Sequence, residues 1–310
     1  MPVDFTLRHT DKNLKLYTDV MHLDREMFLI SEVDPINLTL QSKIERESKQ
    51  ELGLGLQGQL AILRSRDFKL TIVYVDLQSA FRTMTQDFPG VEIDIGGKGD
   101  FVAKVDAKIR RVKETYRKLK HGLPWSLPQV LVQDLVGYSV SRLNVCRTQA
   151  LSQNVCPRVL FTGVLVPYKE FSMAFGDHVE AYEGTDNMSG ARSAACIVLS
   201  PVGNSTGSWI LWKMDTRVRV RKTNFQKLVT LELVINQMNA LAREYEEEML
   251  HPGIQIPEQQ SAKEEKEIEN LEENLEELPE ATFKTGETGD DRSGMEVEND
   301  RTEMSWKIQK

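Results

Sequence analysis

Apolar and polar residues alternate along the first part of the chain and predict β-strands over residues 14–40. The mostly apolar run at 70–76, which ends at Asp76, is typical of a buried strand, and a second strand is predicted at 91–95. The glycines directly after position 95 end the last of these strands. This pattern predicts a sheet in which some strands are buried on both faces.

Three other segments have the helical period. Leucines at helical spacing predict a helix over about 42–65, in spite of three glycines that each cost about 1 kcal/mol relative to Ala. A long helix is predicted at about 102–120, and another begins after Pro128. Strands that alternate with helices indicate an α/β domain.

The pattern changes at about residue 158, where short strands are separated by Gly, Asn, Asp and Ser. Such spacing is typical of a small all-β barrel, and a helix follows it at about 224–248. The strands of the barrel are predicted at 159–166, 178–182, 194–200, 208–213 and 217–221.

Charge is unevenly distributed, which changes the meaning of the net charge of −8. Of the 47 acidic and 39 basic residues, 251–310 contain 17 and 7, so residues 1–250 contain 30 and 32. The first part is therefore balanced, while the Glu-rich end is predicted to be a disordered acidic tail that binds a basic partner.

Cysteine usage and hydropathy restrict the compartment and the class of protein. Cys146, Cys156 and Cys196 are odd in number and form no C-x-x-C pair, which argues against a disulfide framework and against zinc. No apolar run reaches the 18 residues of a membrane span, and the N-terminus lacks the apolar core of a signal peptide. We expect a nuclear or cytoplasmic protein that does not enter a membrane.

Three aspartates end or begin predicted elements and are candidates for metal chemistry. Asp19 lies in the first strand, Asp76 ends the buried strand, and Asp106 begins the basic helical stretch. Three convergent carboxylates can hold two divalent cations for phosphoryl transfer. The alternatives are ordinary ones, since strand ends favour Asp and an acidic residue in the first turn complements a helix dipole.

Two basic segments are candidates for DNA contacts. Residues 104–120 carry eight basic side chains against Asp106 and Glu114, a local net charge of +6. A solvated helix face and a solvent-facing strand are the alternatives to DNA binding. The candidates on the helix are Lys104, Lys108, Arg110, Arg111, Lys113 and Arg117, and those on an alternating strand are Arg217, Arg219, Arg221 and Lys222.

Over about residues 14–240 the chain resembles the integrase region of a copia-type retrotransposon Pol polyprotein. The resemblance rests on an ordered set of segments rather than on any one of them. These include Thr18-Asp19-Val20-Met21-His22, Val73-Tyr74-Val75-Asp76-Leu77, Asp100-Phe101-Val102-Ala103-Lys104-Val105-Asp106, Arg142-Leu143-Asn144 and Cys156-Pro157-Arg158-Val159-Leu160.

The resemblance implies an α/β ribonuclease-H-like core with a mixed sheet and flanking helices over 14–150. It also implies an SH3-like barrel over 158–224, followed by a C-terminal helix at 225–250 and the tail at 251–310. In such integrases, which work as multimers on DNA, three acidic residues bind two Mg²⁺ or Mn²⁺ ions. The carried-over set is Asp19, Asp76 and Asp106.

Two functions remain open. The first is DNA integration by two-metal strand transfer, attenuated because the family usually has Glu where this chain has Asp106. Only 29 residues separate Asp76 from Asp106, fewer than integrases often have. The second is a non-catalytic nucleic-acid- or protein-binding remnant of a retrotransposon, which fits the missing N-terminal zinc module.

Overall fold

The first three strands form an antiparallel meander, β1 (Asn13–Leu23), β2 (Glu26–Asp34) and β3 (Leu38–Ile44). Asp24 and Arg25 make the two-residue turn between β1 and β2, both with positive φ, which is the backbone geometry that matches strand twist in a tight hairpin. These strands confirm the prediction for residues 14–40 and extend it to residue 44.

Two further strands, β4 (Lys69–Val75) and β5 (Glu92–Ile95), add in parallel on the other side of β1. The order of the sheet is β3-β2-β1-β4-β5, so β1 lies at its centre and β3 at one edge. In this computed structural model the described residues are 13–75, 88–95, 102–146, 155–184, 192–204 and 206–250.

Helices flank the sheet on both faces. Helix α1 (Lys49–Arg64) begins at the Ser48 N-cap and buries its leucine stripe against one face. It starts later than the predicted residue 42 because β3 continues to Ile44. Helices α2 (Val102–His121) and α3 (Val132–Val145) follow, and both contact the first sheet. A mixed five-stranded sheet with flanking helices fits the predicted ribonuclease-H-like core.

A second, antiparallel sheet contains β6 (His178–Tyr182), β7 (Ser193–Pro201), β8 (Trp209–Lys213), β9 (Arg219–Lys222) and β10 (Phe225–Lys227). Its order is β10-β6-β7-β8-β9, so the last strand returns to pair with the first. Two more helices complete the described fold, namely α4 (Pro157–Thr162) before this sheet and α5 (Glu232–Leu250) after it. An SH3-like barrel remains a prediction for this region.

The predicted strand at 159–166 is wrong, because the structure has α4 there. Pro157 occupies the first turn of the helix, where its fixed φ is favourable, and Gly163 ends the helix in the left-handed conformation. The short strand β10 was missed, and α5 starts at Glu232 rather than near 224 because β10 occupies part of that interval.

The two sheets share one apolar core. Tyr17 and Met21 of β1 belong to the same buried cluster as Tyr138 of α3 and Trp209 and Trp212 of the second sheet. All described residues lie within one compact unit, Met1–Pro252. The predicted acidic tail at 251–310 lies outside the described residues. None of the described helices combines the length and the apolarity needed to cross a membrane.

Candidate metal and nucleic-acid site

Asp19 lies on the central strand β1 and is half-buried. Its neighbours Tyr17 and Met21 face the cluster beneath α2 and α3, so alternation places the Asp19 side chain on that face of the sheet as well. One carboxylate oxygen accepts a 2.7 Å hydrogen bond from the amide of Val20. The first predicted carboxylate is therefore on the helix-covered side, in the middle of the sheet.

The second predicted carboxylate, Asp76, lies outside the described residues. Val75, the last described residue of β4, pairs in parallel with Thr18, which precedes Asp19. The described part of β4 therefore ends beside the strand position that precedes Asp19.

Helix α2 runs alongside β1 in the same direction. Near its start, the Lys104 ammonium lies 4.7 Å from the centre of the Tyr17 ring. Near its end, the Tyr116 hydroxyl donates a 2.6 Å hydrogen bond to Asp24. Asp19 lies between Tyr17 and Asp24 along the strand, so the first half of α2 passes over it.

Asp106 lies in this first half of α2 and is exposed. At about 100° per residue it is rotated by roughly 200° from Lys104 around the helix axis. Lys104 and Lys108 contact acidic residues of β2, so Asp106 lies on the opposite flank, away from β2. Within the described ranges, no three His, Cys, Asp or Glu side chains are grouped so that they could hold a metal ion.

Two other aspartates could compete for a metal role. Asp24 is held by the Tyr116 hydroxyl and by the Lys120 ammonium at 2.5 Å. Burial raises the pKa of Asp24, but these two donors outweigh it, and the net direction is below 3.8. Asp94 is half-buried on β5, opposite Tyr74 of β4. A third rival, Asp100, lies outside the described residues.

Lys108 is buried, and this does not fit a role in DNA contact. Its ammonium bonds Asn37 and lies 3.7 Å from the Glu32 carboxylate, with only 8% of the lysine side chain exposed. Burial lowers the pKa of Lys108, although Glu32 partly opposes this. Burial likewise raises the pKa of Glu32 against the opposing effect of Lys108. The pair anchors α2 to β2.

Lys104 also faces β2, where it lies 3.6 Å from the Asp34 carboxylate. Its side chain remains about half exposed. Burial lowers the pKa of this ammonium, but Asp34 and Tyr17 outweigh burial, so the net direction is upward. Lys104 therefore stays charged at the start of α2 and can reach solvent.

The remaining basic candidates on α2 form no hydrogen bond or ion pair with any other described residue. Arg110, Arg111 and Arg117 are exposed, and Lys113 is half-buried. Asp106, Arg110, Lys113 and Arg117 have spacings of four, three and four residues, so they form one stripe along the helix. We call these four residues the α2 stripe. A carboxylate at its start is followed by three cations.

Two arginines of the predicted basic strand have a role that differs from the predicted DNA contact. Arg219 binds both carboxylate oxygens of Asp134 on α3, and Arg217 makes two hydrogen bonds to Glu244 on α5. Lys222 donates to the carbonyl of Tyr182 at 3.2 Å. Arg221 is exposed and has no hydrogen bond or ion pair with a described residue. Arg217 and Arg219 thus hold helices to the sheet.

No protein family and no curated protein matches the chain. Among solved structures, the catalytic core domain of BIV integrase is similar with a TM-score of 0.38 at 12% identity, over 48% of this chain and 93% of that chain. At this TM-score the likeness supports no argument about the chain. The ribonuclease-H-like interpretation depends on the strand order and pairing of the first sheet.

Sequence reasoning missed two buried polar clusters. Thr39 of β3 and Asn144 of α3 are 105 positions apart and bonded through two hydrogen bonds. Glu170 is 1% exposed and binds the Arg158 guanidinium. No local pattern signals either contact, because the partners come from different elements.

Proposed function

We propose that the chain is an integrase-like polynucleotidyl transferase that binds DNA and performs two-metal strand transfer for a copia-type retroelement. Asp19, Asp76 and Asp106 would hold the metal ions. The observation that supports this proposal is the parallel pairing of Val75 with Thr18, because β4 then ends at the residue before Asp76, beside the residue before Asp19.

The position of Asp106 supports the same assignment. Helix α2 passes over the strand that carries Asp19, and Asp106 lies on the flank opposite to the lysines that bind β2. That flank faces away from β2, toward the side of the sheet where β4 pairs with β1. Asp19 and Asp106 therefore belong to elements that are neighbours at the centre of the sheet.

The donor set fits Mg²⁺ or Mn²⁺, because it consists of carboxylate oxygens alone and these hard cations prefer oxygen ligands. When bound, the ions would activate the attacking hydroxyl and stabilise the leaving oxygen. Asp106 has one methylene less reach than the Glu usual in the family. A displacement of about 1 Å can cost on the order of a hundredfold in rate, so attenuated activity is part of the proposal.

The α2 stripe gives the chain a means of holding the nucleic acid. Arg110, Lys113 and Arg117 extend over roughly 10 Å of helix beyond Asp106, at 1.5 Å per residue. Exposed guanidinium and ammonium groups neutralise backbone phosphates without reading the sequence. The stripe would orient a DNA strand so that one phosphodiester lies beside the carboxylates.

A magnesium titration of DNA nicking and strand transfer tests the proposal. We expect Asp19→Asn to abolish the Mg²⁺-dependent activity, while Asp94→Asn on the neighbouring strand β5 retains it. Equal activity of the wild type and Asp19→Asn across the titration would remove the metal role from Asp19. Loss of activity in Asp94→Asn alone would transfer that role to the rival carboxylate.

The alternative function is a non-catalytic DNA- or protein-binding remnant, which the substitution of Asp for the usual Glu favours. The change Asp106→Glu separates the two. An attenuated enzyme gains strand-transfer activity from the restored methylene. A remnant has no activity in either form, although it still binds DNA through the α2 stripe.

The same proposal includes the fold of the second sheet, the oligomeric state, the compartment and the role of the acidic segment. The second sheet would be the SH3-like barrel of such integrases, since its last strand returns to pair with its first. The protein would act as a homo-oligomer in the nucleus or cytoplasm. The acidic segment 251–310 would bind a basic partner, because its net charge is −10.

A further inference from the structure

The outer edge of β3 carries backbone groups that no described strand pairs. Among the strands that the structure describes, β3 has β2 as its one neighbour in the sheet. At Thr39 these outward groups are bonded by a side chain, since the Asn144 carboxamide accepts from the Thr39 N–H and donates to its C=O, each at 2.8 Å. A carboxamide thus makes the two bonds that a neighbouring strand would make.

Gln41 presents the next outward pair of backbone groups. Orientation alternates along an antiparallel strand, so the N–H and C=O of Gln41 point away from β2 as those of Thr39 do. They lie roughly 7 Å further along the edge. Within the described part of the chain, nothing bonds them. The edge therefore has one closed position and one open position.

A cavity of about 430 Å³ lies at this open position. Residues 38–41 of β3 form one side of it. Gly137 and Val140 of α3 line one wall, and Phe161, which packs with the apolar cluster beneath α1, lines the other. The walls come from opposite faces of the sheet, so the cavity continues the plane of the sheet beyond β3.

Two side-chain oxygens at this edge also lack a partner among the described residues. They are the hydroxyl of Thr39, a residue that is 1% exposed, and the amide oxygen of Gln41. Buried polar groups are nearly always hydrogen-bonded, and an unmet group costs about 1–3 kcal/mol. Both residues line the cavity, where a water molecule or a ligand able to form hydrogen bonds would satisfy them.

A small anion does not fit this cavity well. Of its two arginines, Arg158 is already bound to the carboxylate of Glu170. Only Arg66 remains exposed and without a hydrogen bond or ion pair among the described residues. One cation beside a row of backbone groups suits a peptide with a single acidic side chain better than it suits a phosphate.

We propose that β3 binds a short extended peptide of a partner protein as a sixth strand of the first sheet. The cavity follows residues 38–41 of β3, and because Asn144 closes the outward groups of Thr39, Gln41 is the position in this stretch where the peptide main chain pairs. The main chain of the peptide bonds the Gln41 N–H and C=O, and an acidic side chain of the peptide lies against Arg66. Main-chain bonds supply affinity in this mode, and the side-chain pockets supply selectivity.

This proposal does not depend on metal chemistry or on DNA, since none of its residues belongs to the aspartate set or to the α2 stripe. Selection from a displayed library of random linear hexapeptides on the full chain supplies the probe. The enriched peptides are then synthesised with a fluorescein label, and their binding is measured by fluorescence polarisation.

Methylation of single peptide nitrogens tests strand addition directly. Within the cavity only the Gln41 C=O is open to a peptide N–H, so methylation of the one peptide nitrogen that bonds it should weaken binding at least tenfold. Methylation at the other residues should leave binding within about threefold. Uniform tolerance of methylation, or failure of the library to enrich any peptide, would overturn the proposal.

A pair of variants at Gln41 tests the same point from the protein side. Gln41→Pro removes the outward N–H without breaking the β2–β3 ladder, because proline is tolerated where the N–H faces away from the sheet. It should weaken binding at least tenfold, whereas Gln41→Ala, which keeps the N–H, stays within about threefold. Equal binding by both variants contradicts the proposal. If the proline variant fails to fold, the methylated peptides still decide.

Discussion

Arg219 of β9 and Asp134 at the start of α3 are joined by a two-pronged ion pair across 85 positions of sequence. The Arg219 Nε lies 3.1 Å from each carboxylate oxygen, and its terminal nitrogen lies 2.7 Å from Oδ2 and 2.9 Å from the carbonyl of Val130. The guanidinium also lies 5.4 Å from the ring centre of Trp212. This contact holds the second sheet to a helix of the first.

We predict that Arg219→Ala lowers the free energy of unfolding by about 1 kcal/mol, a modest value because the pair is partly exposed. Urea denaturation measures the change, and Asp134→Asn should cost a similar amount. The double variant should cost less than the sum of the two. The control is Arg221→Ala, which should stay within about 0.5 kcal/mol of the wild type. Equal costs at Arg221 and Arg219 would contradict a stabilising role for the ion pair between Arg219 and Asp134.

A second prediction concerns the salt dependence of DNA binding. The double variant Arg110→Ala, Arg117→Ala removes two cations of the α2 stripe. It should reduce the slope of log K against log salt by about 1.8, because each neutralised phosphate contributes about 0.9. Fluorescence anisotropy with a labelled duplex measures this slope.

The matched control for that experiment is the double variant Arg217→Ala, Arg219→Ala. It also removes two positive charges, but both arginines are bound to carboxylates. The slope should therefore stay close to that of the wild type. If the control reduces the slope and the α2 stripe variant does not, DNA lies on the second sheet instead.

Gly203 gives a third prediction, about packing. Its φ is +76°, and a Cβ at this position would lie 2.2 Å from a terminal nitrogen of Arg158, which is held by buried Glu170. Gly203→Ala should destabilise the protein by about 2–3 kcal/mol, since strain and steric clash add. Gly90→Ala is the control, because its φ is +82° and its Cβ would meet nothing within 4 Å. Thermal unfolding should show a clearly smaller loss for Gly90→Ala, and equal losses would exclude the clash.

The fourth prediction concerns stability at acidic pH. Although burial raises the pKa of Asp24, the bonds from Lys120 and Tyr116 outweigh it and depress the folded-state pKa below 3.8. The carboxylate therefore stabilises the fold above pH 3.8, and this contribution is lost as pH falls through the lower folded-state pKa.

Asp24→Asn should consequently cost about 1 kcal/mol at neutral pH, and this cost should shrink as the pH falls through the folded-state pKa of Asp24 and the wild-type carboxylate becomes protonated. Urea titrations at a series of pH values measure both quantities. Tyr116→Phe, which removes one of the two donors, should show a smaller form of the same pH dependence. A cost of Asp24→Asn that is constant from pH 7 to pH 2 would contradict this account.

The sequence predicted elements that are long and regular, and it failed where distant contacts decide. The basic helix was predicted at about 102–120 and lies at Val102–His121, because its period repeats over five turns. The segment 159–166 was predicted as one of the short strands separated by Gly, Asn, Asp and Ser, yet the flanking proline and glycine make its first half helical. The sequence named the proposed metal set, of which Asp76 lies outside the described residues.

The roles of the charged residues show the same limit. Arg219 and Arg221 are two residues apart in β9 and so share a face, whereas Arg217 precedes this strand with a positive φ. A spacing of two also cannot reveal carboxylates 27 and 85 positions away. Lys108 likewise looked like any other lysine of a basic helix. Its burial depends on Glu32 of β2 and on Asn37 in the turn between β2 and β3.

The apolar cluster that runs from Met21 on the central strand to Trp209 in the second sheet has a consequence for cooperativity. Neither sheet can melt while the other keeps its packing, since each supplies part of the other's interior. Calorimetry of this region should therefore record one endotherm with equal van't Hoff and calorimetric enthalpies, rather than two separate events.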